Sequence, residues 1–413
     1  MDFSAYTPFQ AEFCERYGWL ERQYPFAAMG LEAELRNFAV GDGAVARVNA
    51  MRQSRRIAPI DWLVNMASQL DGQAQRDQFY FEFPGSVGHD IARALETDLH
   101  LQNFSDRKIL GYRSNKLLHR LATHGRAYPA AMKAFAENGA EGLLSQKKLL
   151  SALDHDLRRN FKLLKRYLEK QRIKLCFSSG DSKPFSRMLV RASQELGIPF
   201  IVFAHGYISD PRLNSIAPLR ADALITWTEN QASLIRSALP ERAADIVSFG
   251  MPRPTIPAKR SPDGTALIAW EPLSFRDRLS QHETVLRRLQ GFIRGAGLTP
   301  SFRPHPKDRK DLDVKQKLET WGFEIDNEPL ARAFEKAEFV LSANSTVLTE
   351  AAACGIPAIQ LSDLATFRFE GAQLITVENF PRDCAFDAIP FPEPLLCLQS
   401  LVEFIASKVQ DTP

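Results

Sequence analysis

The stretch from Phe339 to Ile359 limits what this chain can fold into more than any other. The apolar run ending at Leu341 reads as a strand. Asn344, Ser345 and Thr346 are residues favoured at helix starts. Val347 to Cys354 carries helix-favouring alanines, and Gly355 is a natural stop. Ile356 to Leu361 restarts an apolar strand. A parallel strand feeding a helix through a hydroxyl-rich turn aims free N–H groups and a positive dipole end at one spot. Such a turn suits a phosphate or a carboxylate. The plainer reading is that Asn344 only caps its helix.

A second element lies upstream. Leu298 to Arg303 reads as a short strand with a cationic tip, continued by Pro304, His305 and Pro306. The prolines remove two backbone donors and stiffen the turn around His305. Arg303 and His305 can both donate to phosphate oxygens.

Strands and helices alternate from Arg172 onward. Ile173–Phe177 is a predicted strand, followed by a turn of small residues containing Asp181. A helix near Pro184 runs to Leu196 and stops at Gly197. Ile198–Ala204 is the next strand and leads into His205 and Gly206. Ala223–Thr226 is a strand, Gln231–Leu239 a helix, and Ile246–Phe249 a strand ending in Gly250, Met251, Pro252 and Arg253. This alternation means βαβ units and parallel sheets. The expected fold is α/β: two doubly wound domains facing each other across a cleft, with a helical insertion in the first. Residues 1–255 form the first domain, with the insertion at about 107–172. The proline-rich linker is 254–264 and the second domain is 265–413. Ligands of such sheets bind at the carboxyl ends of the strands. Asp181, His205, Gly250, Arg303, His305 and Ser345 all fall at predicted strand ends.

Composition excludes several classes. With 413 residues, 45% hydrophobic and 24% charged, the chain is an ordinary globular one, and its length favours two domains. A net charge of +3 does not demand a nucleic-acid partner. The cysteines, Cys14, Cys176, Cys354, Cys384 and Cys397, lack paired spacing. They read as reduced core residues of a cytoplasmic protein, not as a disulfide frame or zinc site. No secretory signal pattern opens the chain, and no apolar run approaches the ~20 residues that span a bilayer.

The first 75 residues look mostly helical. Gln78–Phe83 is a predicted strand, Pro84–Asp90 a loop and Ile91–Leu95 a helix. Residues 107–172 read as basic and helical. Leu149, Leu150, Leu153, Leu157, Phe161, Leu164 and Leu168 keep helical spacing. Between Lys147 and Arg172 nine Lys/Arg stand against three Asp/Glu. That face is either simply solvated or docks on anionic lipid headgroups. Asp154-His155-Asp156 imitates an Asp-x-Asp metal signature, but residues two apart on a helix do not face each other. It is rejected as a metal site, as is Asp311-Leu312-Asp313.

The second half resembles the nucleotide-binding half of GT-B glycosyltransferases that carry an HP motif and a downstream Ser/Thr motif. That group includes bacterial sialyl- and polysialyltransferases, capsule β-Kdo transferases and CDP-glycerol glycerophosphotransferases. The resemblance rests on Arg303-Pro304-His305-Pro306, on Asn344-Ser345-Thr346 with Glu350, on Gly355-Ile356-Pro357, and on Gly197-Ile198-Pro199 leading to His205-Gly206. It covers roughly residues 172–365. It implies that His305, Ser345 and Thr346 hold the phosphate of a cytidine nucleotide donor, with Arg303 and Asn344 beside them and Glu350 near the ribose. Gly206, Gly250 and Arg253 would line the cleft. The sialyltransferases' acidic-acidic-Gly motif is missing here, so Asp181 and His205 are the substitutes for the catalytic base. Asp181 also reads as a helix cap. The implied activity is metal-independent and cofactor-independent transfer of a Kdo- or sialic-acid-like sugar from a cytidine nucleotide-sugar donor. The implied acceptor is a glycan or lipid-linked glycan of a bacterial surface, reached from the cytoplasmic face of the inner membrane. Glycerophosphate transfer from CDP-glycerol and an inactive scaffold are the alternatives.

Overall fold

The computed structural model describes residues 6–39, 76–82, 85–103, 108–109, 112–113, 127–180, 184–204, 219–251, 260–271, 273, 278–306, 308–309, 311–365, 368–391 and 396–410. The chain divides into two compact units, Asp2–Met251 joined by Leu395–Pro413, and Pro252–Pro394.

The sheet of the first unit contains β1 (Gln78–Glu82), β2 (Gln102–Asn103), β5 (Ile173–Ser178), β6 (Phe200–Phe203), β7 (Ala223–Thr226) and β8 (Ile246–Ser248). Its order is β2-β1-β5-β6-β7-β8, every pairing parallel. Consecutive positions of β5 and β6 are buried, as expected of strands covered on both faces. Phe81 stacks on Phe177 with ring centroids 5.1 Å apart. Between β2 and β5, β3 (Lys108–Ile109) and β4 (Tyr112–Arg113) pair as an antiparallel ribbon. The region from 107 is therefore not wholly helical as expected.

Among the described residues, five helices serve this part of the first unit, α1 (Tyr6–Gln23), α2 (Pro25–Ala39), α3 (Gly85–Asp98), α4 (Ala127–Leu144) and α5 (Lys147–Lys170), and α6 (Pro184–Glu195) and α7 (Glu229–Ala238) follow further along the chain. α3 begins inside the segment expected to be a loop. Gly85-Ser86-Val87-Gly88 is a weak helix former, but a helix that buries Ile91, Ala92 and Leu95 overrides that weakness. α5 follows the expected register, with Leu150, Leu153, Leu157, Phe161, Leu164 and Leu168 buried.

Asp154 and Asp156 each serve a different helix start. The Asp154 carboxylate accepts from the backbone N–H groups of Phe26 (2.7 Å) and Ala27 (3.2 Å), the first turn of α2. Asp156 accepts from the N–H of Ala127 at the start of α4, 3.3 Å away. One helical turn thus caps two neighbouring helices. Asp311 likewise accepts from Val314 N–H at 3.2 Å and caps α9 (Leu312–Thr320). Both Asp-x-Asp pairs rejected as metal sites lie where helices begin.

The sheet of the second unit is built from β9 (Thr265–Ala269), β10 (Thr299–Arg303), β11 (Glu324–Ile325), β12 (Ala337–Ser342), β13 (Ala358–Leu361) and β14 (Ala372–Ile375). Its order is β11-β10-β9-β12-β13-β14, again all parallel. Numbered by appearance this is 3-2-1-4-5-6, the doubly wound dinucleotide-fold order. α8 (Arg278–Gly295), α9, α10 (Leu330–Lys336) and α11 (Val347–Ala353) accompany it. Gly355 sits at φ 68° as the predicted stop, with Ile356 N–H bonded to the carbonyl of Ala351 at 3.0 Å. The expected α/β fold of two doubly wound sheets is borne out.

The C-terminus departs from the expected division at 265–413. α12 (Leu398–Gln410) packs on α3 of the first unit, and Phe404 meets Phe249 with centroids 5.3 Å apart. Leu396 N–H donates to the carbonyl of Met251 (2.7 Å) and Cys397 N–H to that of Phe249 (3.1 Å). Cys397 is exposed, contrary to its reading as a core residue, while Cys176 and Cys384 are buried. Among the described residues no helix is long and apolar enough to cross a membrane.

If Asp154 holds the start of α2, Asp154→Ala is expected to lower unfolding free energy by about 1–3 kcal/mol, the cost of stranding buried donors. Asp154→Asn keeps an acceptor oxygen and is expected to lose less. Urea denaturation measures both, and an unchanged Asp154→Ala midpoint contradicts the assignment.

Candidate functional site

In a doubly wound sheet, neighbouring loops diverge where the strand order reverses, and a crevice opens at the carboxyl ends there. In the second unit that place lies between β9 and β12. β10 pairs with β9 on its other side, so the His305 turn is also a neighbour of the crevice. Trp270 follows β9 directly, is buried, and its indole N–H has no hydrogen-bond partner among the described residues.

Asp308 ties the His305 turn to the loop after β9. It is 1% exposed, and its carboxylate accepts from the N–H of Leu273 at 2.6 Å. Its own N–H donates to the carbonyl of His305 at 2.8 Å. His305 itself is half-buried between buried Pro304 and exposed Pro306. The prolines and Asp308 together set where the imidazole starts.

The turn after β12 is held as firmly. Ser345 N–H donates to the Ser342 hydroxyl (3.2 Å), and the Ser345 hydroxyl accepts from Val347 N–H (3.3 Å). Asn344 does not cap α11. Its side-chain amide donates to the carbonyl of Leu364 at 3.2 Å. Thr346 occupies the cap position without a side-chain cap bond and is half-buried. Gln360, fully buried on β13, donates to the carbonyl of Ala343 (3.0 Å) and accepts from Phe369 N–H (2.9 Å).

Arg303 is placed differently from its expected role. Its guanidinium pairs with Asp326, just past β11, and donates to the carbonyl of Glu328 at 2.8 Å. Its side chain is only 11% exposed. These bonds orient Arg303 as part of the site wall. Burial pushes the carboxyl of Glu350, in the first turn of α11, up to about 7, while the Arg303 charge works in the opposite direction. Arg303 and Glu350 are therefore electrostatic neighbours across the ends of β10 and β12. A half-protonated carboxyl at neutral pH can accept from or donate to a sugar hydroxyl.

Gly250, two residues past β8 in the first unit, is buried at φ 95°, where a side chain would be strained. Near it in that sheet, the Trp227 indole donates to the carbonyl of Ala204 at 2.6 Å and fixes the end of β6. Asp181, His205, Gly206 and Arg253 lie outside the described residues. Sequence reasoning missed Asp308, Asp326 and Gln360. Asp308 left one signal, an acidic residue three positions after the histidine of a stiff turn. Asp326 and Gln360 left none, because their partners are distant in the chain. Among the described residues no group of three or more His, Cys, Asp or Glu is gathered to hold a metal ion.

The sequence matches no family model and no curated protein. Solved structures do resemble it. S. aureus MnaA in a co-structure with UDP aligns at TM-score 0.50 and 11% identity, covering 82% of this chain and 99% of that one. Methanocaldococcus jannaschii UDP-GlcNAc 2-epimerase, in complex with UDP-GlcNAc and UDP, aligns at 0.48 and 15%, covering 80% and 99%. The lipopolysaccharide outer core galactosyltransferase WaaB, in its apo form, aligns at 0.41 and 13%, covering 81% and 94%. The MnaA likeness shows a shared two-domain α/β fold.

The Glu350 carboxyl has a definite pH signature. Below its ordinary value of 4.5 both folded and unfolded chains hold the proton. From there to about 7 only the folded chain does, so its contribution to stability falls as pH rises and levels off above about 7. Glu350→Gln is expected to gain stability relative to the parent across that window and to match it in acid. Denaturant midpoints at several pH values measure this; a pH-independent difference contradicts it.

Proposed function

We propose that this chain is a glycosyltransferase that binds a cytidine nucleotide-sugar donor at the carboxyl ends of β9, β10 and β12. The observation that carries the reading is the placement of two pre-set turns after β10 and β12, the two strands that flank β9 in a 3-2-1-4-5-6 sheet. One holds His305, anchored through Asp308; the other holds Ser345 and Thr346, anchored through Ser342 and Gln360. An imidazole and two hydroxyls there supply hydrogen-bond donors to a phosphate. Glu350, with its raised pKa, suits the paired hydroxyls of a ribose. Arg303 positions this wall through Asp326 and adds positive potential.

In the transfer, an acceptor hydroxyl oxygen attacks the anomeric carbon. The bond from that carbon to the phosphate oxygen breaks, and the nucleotide leaves with the electron pair. The hydroxyl proton passes to a base, for which Asp181 and His205 are the candidates. Charge on the departing phosphate is stabilised by preorganised donors, with no metal needed in the step. The motif resemblance favours a Kdo- or sialic-acid-like sugar on a cytidine nucleotide and a cell-surface or lipid-linked glycan as acceptor. The cationic outer face of α5, which includes Lys147, Lys148, Lys162 and Arg166, suits contact with an anionic membrane. The MnaA co-structure contains UDP, so uridine is the competing base.

His305→Ala is expected to weaken nucleotide binding by about 1.5–3 kcal/mol, or roughly 10- to 150-fold, through loss of a charge-assisted bond. Calorimetric titration with CMP and with UDP gives both the loss and the base preference; unchanged affinity rules out the histidine's role. Release of nucleotide from a sugar donor should also continue in EDTA. Complete loss in chelator, restored by Mg²⁺ or Mn²⁺, contradicts a metal-independent step.

A further inference from the structure

A pocket of about 310 Å³ opens in the first unit, between α1, α2 and α6 (Pro184–Glu195). Arg220, just ahead of β7, forms part of its wall, so it lies toward the amino end of that strand. The carboxyl ends of the strands in that parallel sheet lie at its opposite pole. This volume is within the range of small-molecule sites.

Its chemistry is lopsided. Glu32 receives three guanidinium groups: Arg36 Nε at 2.8 Å, Arg220 at 2.8 Å, and Arg187. Those cations hold the Glu32 carboxyl below its ordinary value although burial acts the other way. Among the described lining residues, four arginines (Arg36, Arg187, Arg191 and Arg220) stand against two carboxylates (Glu21 and Glu32). Arg191 also approaches Glu195, at 3.5 Å. Two further lining groups are buried polar atoms without a hydrogen-bond partner among the described residues. They are Nη1 of Arg36, whose side chain is 3% exposed, and the hydroxyl of Tyr17, which is 4% exposed. Buried donors of this kind are normally satisfied. The remaining wall is apolar, with Phe13, Leu20, Pro25 and Val190.

We propose that this pocket binds a small organic anion, a phosphate monoester or carboxylate with a compact apolar body. The oxyanion joins Glu32 in facing the arginine cluster. Arg220, the more exposed of Glu32's arginine partners at 32%, contacts it first. Arg36 and the Tyr17 hydroxyl supply donors that have no partner among the described residues. The apolar body lies against Phe13 and Val190. Such a ligand would couple α1 and α2 to α6, and so regulate the unit from outside the strand-end site.

The test uses thermal unfolding and calorimetry of the full chain with phenyl phosphate, benzoate and inorganic phosphate, each against sodium chloride at equal ionic strength. Phenyl phosphate or benzoate is expected to raise Tm and to bind at least tenfold more tightly than inorganic phosphate. Arg220→Met is expected to abolish that binding. Tyr17→Phe, which removes only an unpartnered hydroxyl, is expected to weaken it several-fold without lowering Tm in ligand-free buffer. His305→Ala is expected to leave it unchanged, which separates this pocket from the proposed nucleotide site. The proposal is overturned by absence of any effect beyond chloride, by equal affinity for inorganic phosphate, or by binding that survives both Arg220→Met and Tyr17→Phe.

Discussion

Parallel pairing of β9 with β10 on one side and β12 on the other is the constraint on which the second unit depends. It puts the first strand of that unit in the middle of its sheet. The chain then travels outward to β11, returns across the sheet and continues outward again through β12, β13 and β14. The reversal leaves the β9 and β12 loops without a shared helix above them, and that is where a crevice forms. Neither the stiff His305 turn nor the Ser345 turn would be of use if their strands lay at opposite edges.

Fixing the turns falls to side chains that do no chemistry in the proposed transfer. Asp308 bonds a backbone N–H on the neighbouring loop, and Gln360 bonds both the Ala343 carbonyl and the Phe369 N–H. These bonds are buried, where an unmade partner is costly, so each turn has one favoured geometry. The same device recurs in the first unit, where Asp154 and Asp156 of α5 hold the starts of α2 and α4. Arg303 belongs with this group. Its pair with Asp326 keeps a positive charge near Glu350 and sets the limit on how far burial raises that carboxyl.

The alternation of strands and helices was legible because fully buried parallel strands read as short apolar runs. Ala223–Thr226 was placed to the residue, and Gly355 and Gly197 were placed as stops with positive φ. The beginning of α3 was misread because local propensity is weak there and packing decides. The C-terminal helix was misassigned because its partners, Phe249 and α3, are remote in sequence. Of the proposed site residues, His305 and Ser345 were singled out from local pattern and Glu350 from the motif resemblance. Arg303 was singled out too, but its engagement with Asp326 was not foreseen, since an ion pair over 23 residues leaves no periodic trace. Strand order itself is a tertiary fact, and with it the identity of the crevice.

The central claim is that the nucleotide phosphate sits between the His305 and Ser345 turns. A crystal structure of the chain soaked with CMP tests it most directly. The account predicts a phosphate within hydrogen-bond distance of the His305 imidazole and the Ser345 or Thr346 hydroxyl, with the ribose toward Glu350. A phosphate bound elsewhere, with both turns vacant, would contradict it.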